Sequence, residues 1–562
     1  MSGAIAPWRR WDLRFGAAVA AVLGIALALR LWGIRSGLPW VYNIDEVDHF
    51  VPRAVKMVGG NLEPSYWGNP SAFTYLLAAL YRIWFGGQAA VDHAFGKADP
   101  SEVWVLARVA CAILGTLAVW LLYRAGARLF DRRTGLLAAA VMAVAFLPVF
   151  YSKLALNDVP ALVGVCLSLW GAAGVLREGR RRDYAFAGIG LGLAAATKYT
   201  GGVVALPLLA AALARAPGGG WRRALPLLAL SAVLALATFI ALNPYALADW
   251  HAFTQGLIRQ SAESSAGSSK LGLTHGSGIV YYLWSLTWGV GWVPSIVAVV
   301  GALALALLDR RAFGVLVPAL VAYLIFMGLE GRYFGRWLMP IVPIVCLLAA
   351  YAAIVAADLA AQRWRPAGAV LLAVAAASLC VQGALASIHS GVVDSRDDTR
   401  ALARAWLVAH VPKHTKIVVE PFVTAGWWLR WRAFPIFITH RAADGRLGEY
   451  AGATVTREDF ERTLSPGLID VYERDRYCWV VTASIEQGRA EVSPAAVPAA
   501  VAYYAALAAR GERVFQASPY SPGARPVVFN FDWSFDYYPG AYARPGPVVT
   551  VYRLRGGRCT RS

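Results

Sequence analysis

Long apolar runs recur along this chain of 562 residues, each roughly 18 to 25 residues long, which is what a helix needs to cross ~30 Å of hydrocarbon. Such a chain folds as a set of spanning helices, because each helix satisfies its own backbone hydrogen bonds where water is absent. Composition agrees. Hydrophobic residues make up 58% and charged residues 15%, too little charge to cover several soluble domains. The sequence is read as a polytopic α-helical membrane protein, and a purely soluble enzyme is excluded.

A net charge of +19 would suit nucleic acid, but the cations sit in short clusters between the apolar runs. Arg9, Arg10 and Arg14 precede the first run; Arg124 to Arg133, Arg177 to Arg182, Arg215 to Arg223, Arg310 with Arg311, and Arg363 with Arg365 follow. They fall at every second connection, the positive-inside pattern of cytoplasmic loops. Anchored on them, spans are expected near 16–33, 104–123, 134–150, 159–176, 184–197, 201–214, 224–242, 284–307, 312–328, 338–358 and 367–386. About eleven transmembrane helices put the N-terminus in the cytoplasm, in a plasma or inner membrane, and everything after residue 387 outside. The pair flanking Lys198 is short enough to be re-entrant. Arg30 and Arg35 at the outer end of the first run, with no small-residue cleavage site after it, mark a retained helix.

A membrane domain over residues 1–386 thus carries a long first outer loop, 34–103, with two amphipathic stretches, 46–58 and 71–85, suited to the interface. A second outer segment, 243–283, contains the Ser-rich stretch Ser261–Ser269, read as a mobile loop. From 387 to 562 the composition turns to mixed charge. Strands are expected at Ile417–Glu420, Tyr477–Ala483 and Val548–Tyr552, and a helix at 397–410, which makes a C-terminal soluble α/β domain on the outer face. Cys478 and Cys559 are its two cysteines. One pairing is open to them in an oxidising compartment, although two thiols in strands would read the same.

Chemistry is sought where polar groups have no topological excuse. After the first run stands Tyr42-Asn43-Ile44-Asp45-Glu46-Val47-Asp48-His49-Phe50. Asn43 and Glu46 have a capping-box spacing, yet capping needs fewer acids, and helical spacing puts Asp45, Asp48 and His49 on one face. In the next outer loop Asn157 has the place of a cap, and Asp158 follows at membrane depth beside Lys153, where an ionisable group needs a task or a partner. Lys198, Arg332 and Arg336 are outer cations against the positive-inside trend. They suit a lipid phosphate, with snorkelling, or a salt bridge from Arg332 to Glu330, as the plain alternative. Asp45 and Asp158, with His49, His251 or His275, offer ligands to a divalent cation such as Mg or Mn, but their spacing dictates no geometry.

Outer carboxylates with outer cations suit one reaction class. An acceptor hydroxyl attacks the anomeric carbon of a sugar on a lipid phosphate; a carboxylate takes the hydroxyl proton, and cations stabilise the departing phosphate. In-line displacement inverts the anomeric configuration. The rival is a transporter or flippase for a lipid-linked sugar, but transporters place their sites at the midplane between repeats, and here the acids cluster at one surface.

The motifs also resemble those of GT-C superfamily membrane glycosyltransferases, especially the protein O-mannosyltransferase and aminoarabinose transferase group (glycosyltransferase family 39-like). The match is carried, in order, by Asp45-Glu46, by Trp67 to Tyr75, by Asn157-Asp158-Val159-Pro160, by Ala196 to Gly201, by Asn243-Pro244-Tyr245, and by Arg332-Tyr333 before Pro340. This resemblance implies that Asp45 is the catalytic base, Glu46 its companion in the acidic pair, and Asp158 a nearby acid that holds a cation or orients the acceptor. It implies that Lys198 and Arg332 face the carrier phosphate, and the same substrate-binding group takes in Arg336, Tyr333, Tyr75 and His49. The partners implied are a polyprenyl-phosphate-linked sugar donor, an acceptor glycan, lipid or protein, and the bilayer. Asn69-Pro70-Ser71 stands where the aminoarabinose branch carries a lysine-bearing motif.

Overall fold

Every expected span falls on helix in the computed structural model, which describes residues 13–216, 220–265, 271–273, 276–412, 415–424, 427, 437–438, 447–450, 453–455 and 457–561. Arg9, Arg10, His275 and the stretch 266–269 of the expected mobile loop lie outside the described residues; Ser261–Ser265 is the end of a helix, Trp250–Ser265. By length and composition, seven of the described helices can cross a membrane, against the eleven expected. The other expected spans fall on shorter or interrupted helices, such as Leu13–Leu31 and Arg181–Thr197. The stretch around Lys198 is such an interruption: a 3₁₀ turn, Tyr199–Val204, leads into the helix Ala205–Arg215.

One interruption has a clear cause. The run expected at 134–150 breaks at Ala145 into Arg132–Val144 and Phe146–Tyr151. Pro148 has no N–H for the carbonyl of Val144, so that carbonyl accepts from the Ser387 hydroxyl at 2.8 Å instead. Fully buried Arg30 donates to the carbonyls of Ala143 at 3.0 Å and Met142 at 3.4 Å. Thus Arg30, expected to mark the outer end of the first span, satisfies backbone groups freed by the break.

Helices Asp158–Arg177 and Arg181–Thr197 pack closely against each other. A Cβ at Gly164 or Gly171 would collide with the backbone of Ala194 or Ala187, so only small residues permit this approach. That packing fixes Asp158, at the start of one helix, relative to Lys198, at the end of the other. In the first outer loop the helix Ala72–Phe85 buries Phe73, Leu77 and Tyr81 and exposes Leu76, Ile83 and Trp84, the two-faced pattern expected at the interface.

The boundary expected at 386/387 is crossed by one continuous helix, Arg365–Asp394. Beyond it lies a mixed sheet of β1 (Ile417–Val419), β2 (Phe437–Ile438), β5 (Trp479–Ala483), β6 (Gly511–Ala517) and β7 (Val549–Leu554), in the order β2-β1-β5-β7-β6; β3 (Leu447–Tyr450) and β4 (Ala453–Val455) form a separate hairpin. Strands β1, β2 and β5 run parallel, and β5, β7 and β6 antiparallel. The expected strands and the helix Thr399–His410 are all present; β6 escaped the sequence reading because its alternation is interrupted by a register shift between Arg513 and Phe515. This layer has its own core, including Leu407, Val480, Trp427, Tyr503 and Val551. Cys478 and Cys559 are joined by a disulfide across a sequence separation of 81. The tail is not self-contained, however: Trp533 and Tyr538 pack against the membrane-helix core.

Candidate active site

Asn43 begins the site. Its side-chain carbonyl accepts from the N–H groups of Asp45 at 3.1 Å and Glu46 at 3.2 Å and so starts the following turn. The turn Glu46–Phe50 is a π-helix, a form often found where a helix serves a site. Adjacent acids are thereby sent in different directions. Glu46 is fully buried, its two oxygens held by Arg108 at 2.8 Å each, and one of them also accepts from the N–H of Ala155 at 2.7 Å. Arg108 donates further to the carbonyls of Ile34 and Ser36. Glu46, expected as part of a catalytic pair, thus joins the start of the first outer loop to the second and is shut away from solvent.

Asp45 remains partly open, with 24% of its side chain exposed. Arg336 donates to it at 2.7 Å, and His49 lies 3.7 Å away. Burial raises its carboxyl, but Arg336, His49, Lys198 and Arg332 outweigh burial and hold it below the usual carboxylate range. His49 stacks on Tyr66 at 4.6 Å, and burial lowers its imidazole against the opposing pull of Asp45 and Asp48. Asp48, expected on the same face, is exposed to solvent.

Asp158 is buried in the first turn of its helix and forms an ion pair with Lys198. The Nε of Arg336 is 4.0 Å from its other oxygen, so Arg336 bridges the two acids. Lys153 is not the partner: it pairs with Asp394 at 3.0 Å and with Ser390. Lys198 is placed through its neighbours. Asn157 donates to the carbonyls of Thr197 and, through the same amide, to Asn69; Asn243 donates to Ala196; the Tyr199 hydroxyl donates to Trp67. Asn243 also accepts from the N–H of Ser71. The scattered sequence motifs are therefore one hydrogen-bonded frame around Lys198.

Tyr333, Tyr75 and His251, also expected, make their contacts away from the acids, whereas Arg332 adds to the positive field on Asp45. Tyr333 is buried among Tyr281 and Tyr282, with ring centroids at 4.5 and 6.3 Å. Tyr75 donates to the carbonyl of Leu62 and braces the first loop. Arg332 is anchored by its backbone N–H on Ser264, and its guanidinium lies 5.4 Å over the Phe334 ring. His251 sits on an exposed helix face beside Gln255. Among the described residues no three His, Cys, Asp or Glu side chains converge to hold a metal ion. Asp45 and Asp158 are engaged by cations, so these residues do not make a metal site as they stand.

Sequence reasoning foresaw a domain in the tail but did not bring Asp532 and Asp536 to the site. The N–H of Gly335 donates to Asp532 at 3.1 Å, and the Tyr151 hydroxyl donates to Asp536 at 3.0 Å, directly beside Arg336. The only signal was two acids within the aromatic run Phe531 to Tyr538, in a segment whose charge is otherwise ordinary.

Residues 101–243 match a family model described as dolichyl-phosphate-mannose-protein mannosyltransferase. That stretch holds Asp158, Lys198 and Asn243 but neither Asp45 nor Arg336. A search of curated proteins finds no match. Among solved structures, the chain is similar to ArnT from Cupriavidus metallidurans bound to undecaprenyl phosphate, at 14% identity and a TM-score of 0.53, covering 96% of this chain and 98% of that one. It is also similar to the oligosaccharyltransferase AglB from Archaeoglobus fulgidus, in complex with an inhibitory peptide and a dolichol-phosphate, at 16% identity and a TM-score of 0.51, covering 93% and 75%. At these identities the likeness is one of fold. The resemblance to GT-C glycosyltransferases read from the motifs is borne out.

Proposed function

We propose that the protein is an inverting glycosyltransferase that moves a sugar from a polyprenyl-phosphate donor to an acceptor hydroxyl on the outer face of the membrane. The observation that carries this reading is Arg336 standing between Asp45 and Asp158, with Lys198 on the far side of Asp158. Asp45 is ionised and partly open, which suits a base. Arg336 and Lys198 suit the charge that gathers on a departing phosphate.

In the reaction, the acceptor oxygen forms a bond to the anomeric carbon while the bond from that carbon to the phosphate oxygen breaks. Asp45 takes the hydroxyl proton, and the carrier leaves as polyprenyl phosphate with inversion at the sugar. The guanidinium of Arg336 has more N–H donors than Asp45 uses, so a lipid phosphate can be received without releasing the base. The family match over 101–243 and the undecaprenyl- and dolichol-phosphate in the similar structures support a lipid-linked donor. The N-terminus is cytoplasmic and the sheet domain extracytoplasmic in this reading; the disulfide favours an oxidising compartment for that domain. The acceptor is a glycan, lipid or protein.

The test incubates purified protein with a panel of polyprenyl-phosphate sugars and follows free carrier by mass spectrometry, with Asp45→Asn as control. Release that the control abolishes supports transfer. Movement of the intact lipid-linked sugar across vesicles without carrier release would instead make the protein a flippase.

A further inference from the structure

The 3₁₀ helix that carries Arg336, Gly335–Ile341, is fastened by a segment translated long after it. Phe531 packs on the Phe334 ring at 5.4 Å, and that ring in turn lies 4.8 Å from the Arg336 guanidinium. Asp532 accepts from the N–H of Gly335, the residue immediately before Arg336. Asp536 accepts from Tyr151, whose ring lies 6.0 Å from the same guanidinium. The segment is itself rigid: the side-chain carbonyl of Asn530 accepts from the N–H groups of Asp532 and Trp533, and the N–H of Asp536 donates to the carbonyl of Asp532. It is also wedged in place. Tyr538 packs on Phe146 at 4.9 Å and accepts from Gln382, while Trp533 packs on Trp284 at 5.1 Å.

From this geometry we infer that Asp536, supplied by the C-terminal domain, is a positioning residue for Arg336: through Tyr151 it holds the guanidinium between Asp45 and Asp158, where the carrier phosphate arrives. The inference rests on the transferase reading of the same site. Burial pushes the Asp536 carboxyl well up, and the neighbouring Asp532 adds to this, so Asp536 acts here as a hydrogen-bonding group rather than as a counter-ion. An amide can replace such a group; a methyl cannot.

The experiment measures binding of undecaprenyl phosphate and the pH profile of kcat/KM in the full-length protein. Asp536→Ala and Tyr151→Phe are expected to weaken binding about tenfold, the scale of one charge-assisted contact. They also shift the acid limb upward, because a displaced Arg336 no longer holds Asp45 low. Asp536→Asn restores most of the affinity, and gel-filtration retention stays that of wild type. Wild-type affinity in Asp536→Ala, or an unmoved acid limb together with a falling yield of folded protein, overturns the positioning role. A wild-type protein that neither binds nor releases the carrier removes the transferase reading itself, and this inference with it.

Discussion

Arg336 donates to Asp45 at 2.7 Å across a sequence separation of 291 residues, and this one contact sets both the charge of the proposed base and the place of the proposed phosphate. Because the two acids share Arg336, changing one member of the group disturbs the others, and the expected outcomes below are chosen to separate them.

Asp45→Asn is expected to reduce transfer about 10²- to 10⁴-fold while donor binding persists, the usual range for loss of a general base. In the wild type the lowered carboxyl keeps the base ionised through neutral pH. The acid limb of kcat/KM therefore appears only as pH falls through that lowered value, at a lower pH than for an ordinary carboxylate. The stability that Asp45 contributes follows the same sign: it is present above the unfolded carboxyl value and is lost as pH drops through the folded one. A limb near pH 6 would show that Arg336 does not hold Asp45 during turnover.

Arg336→Lys keeps the charge but loses the planar fork that reaches two acids and a phosphate together. Undecaprenyl-phosphate affinity is expected to fall about tenfold, and further in Arg336→Ala, where Asp45 loses its nearest cation. Titration calorimetry of the two variants checks this, and equal affinity in all three proteins would remove Arg336 from the phosphate site.

Glu46→Ala is a folding lesion in this structure, not a catalytic one. It leaves Arg108 buried without its carboxylate, a loss of about 3–5 kcal/mol for a broken buried pair. The expected result is a strongly lowered Tm and poor folded yield, with near-normal turnover per folded molecule. Thermal unfolding in detergent, read beside specific activity, separates it from Asp45→Asn.

Removing the disulfide with Cys478→Ser and Cys559→Ser frees a loop of 81 residues, which the chain-entropy account values at about 4.5 kcal/mol. Hydrogen exchange should rise first in β5 and in the helix Gly467–Asp475, which flank Cys478. Wild-type protein purified from an oxidising compartment should change gel mobility on reduction, and the variant should not.

The helices were legible because hydrocarbon imposes a length on apolar runs, and Asp45, Asp158 and Lys198 were legible because a charge at membrane depth needs a reason. Asp45 and Glu46 were read as one acidic pair, with Asp45 the base; their separate partners were not legible, because the turn that Asn43 starts decides which acid meets Arg108 and which meets Arg336. Asp158 was read only as needing a task or a partner; close packing of Gly164 and Gly171 against the next helix brings Lys198 to it, while nearby Lys153 pairs with Asp394. Asp532 and Asp536 were out of reach because their partners, Gly335 and Tyr151, lie about 200 and 385 positions away, and no local pattern encodes such a meeting.

Residues 530–538 emerge from the ribosome only after every apolar helix has been made. A chain stopped before them would be inserted in the bilayer yet lack part of the wall behind Arg336. On the transferase reading, such a chain would lack the contacts of Asp532 with Gly335 and of Asp536 with Tyr151, and is expected to hold the carrier phosphate less tightly than the finished protein.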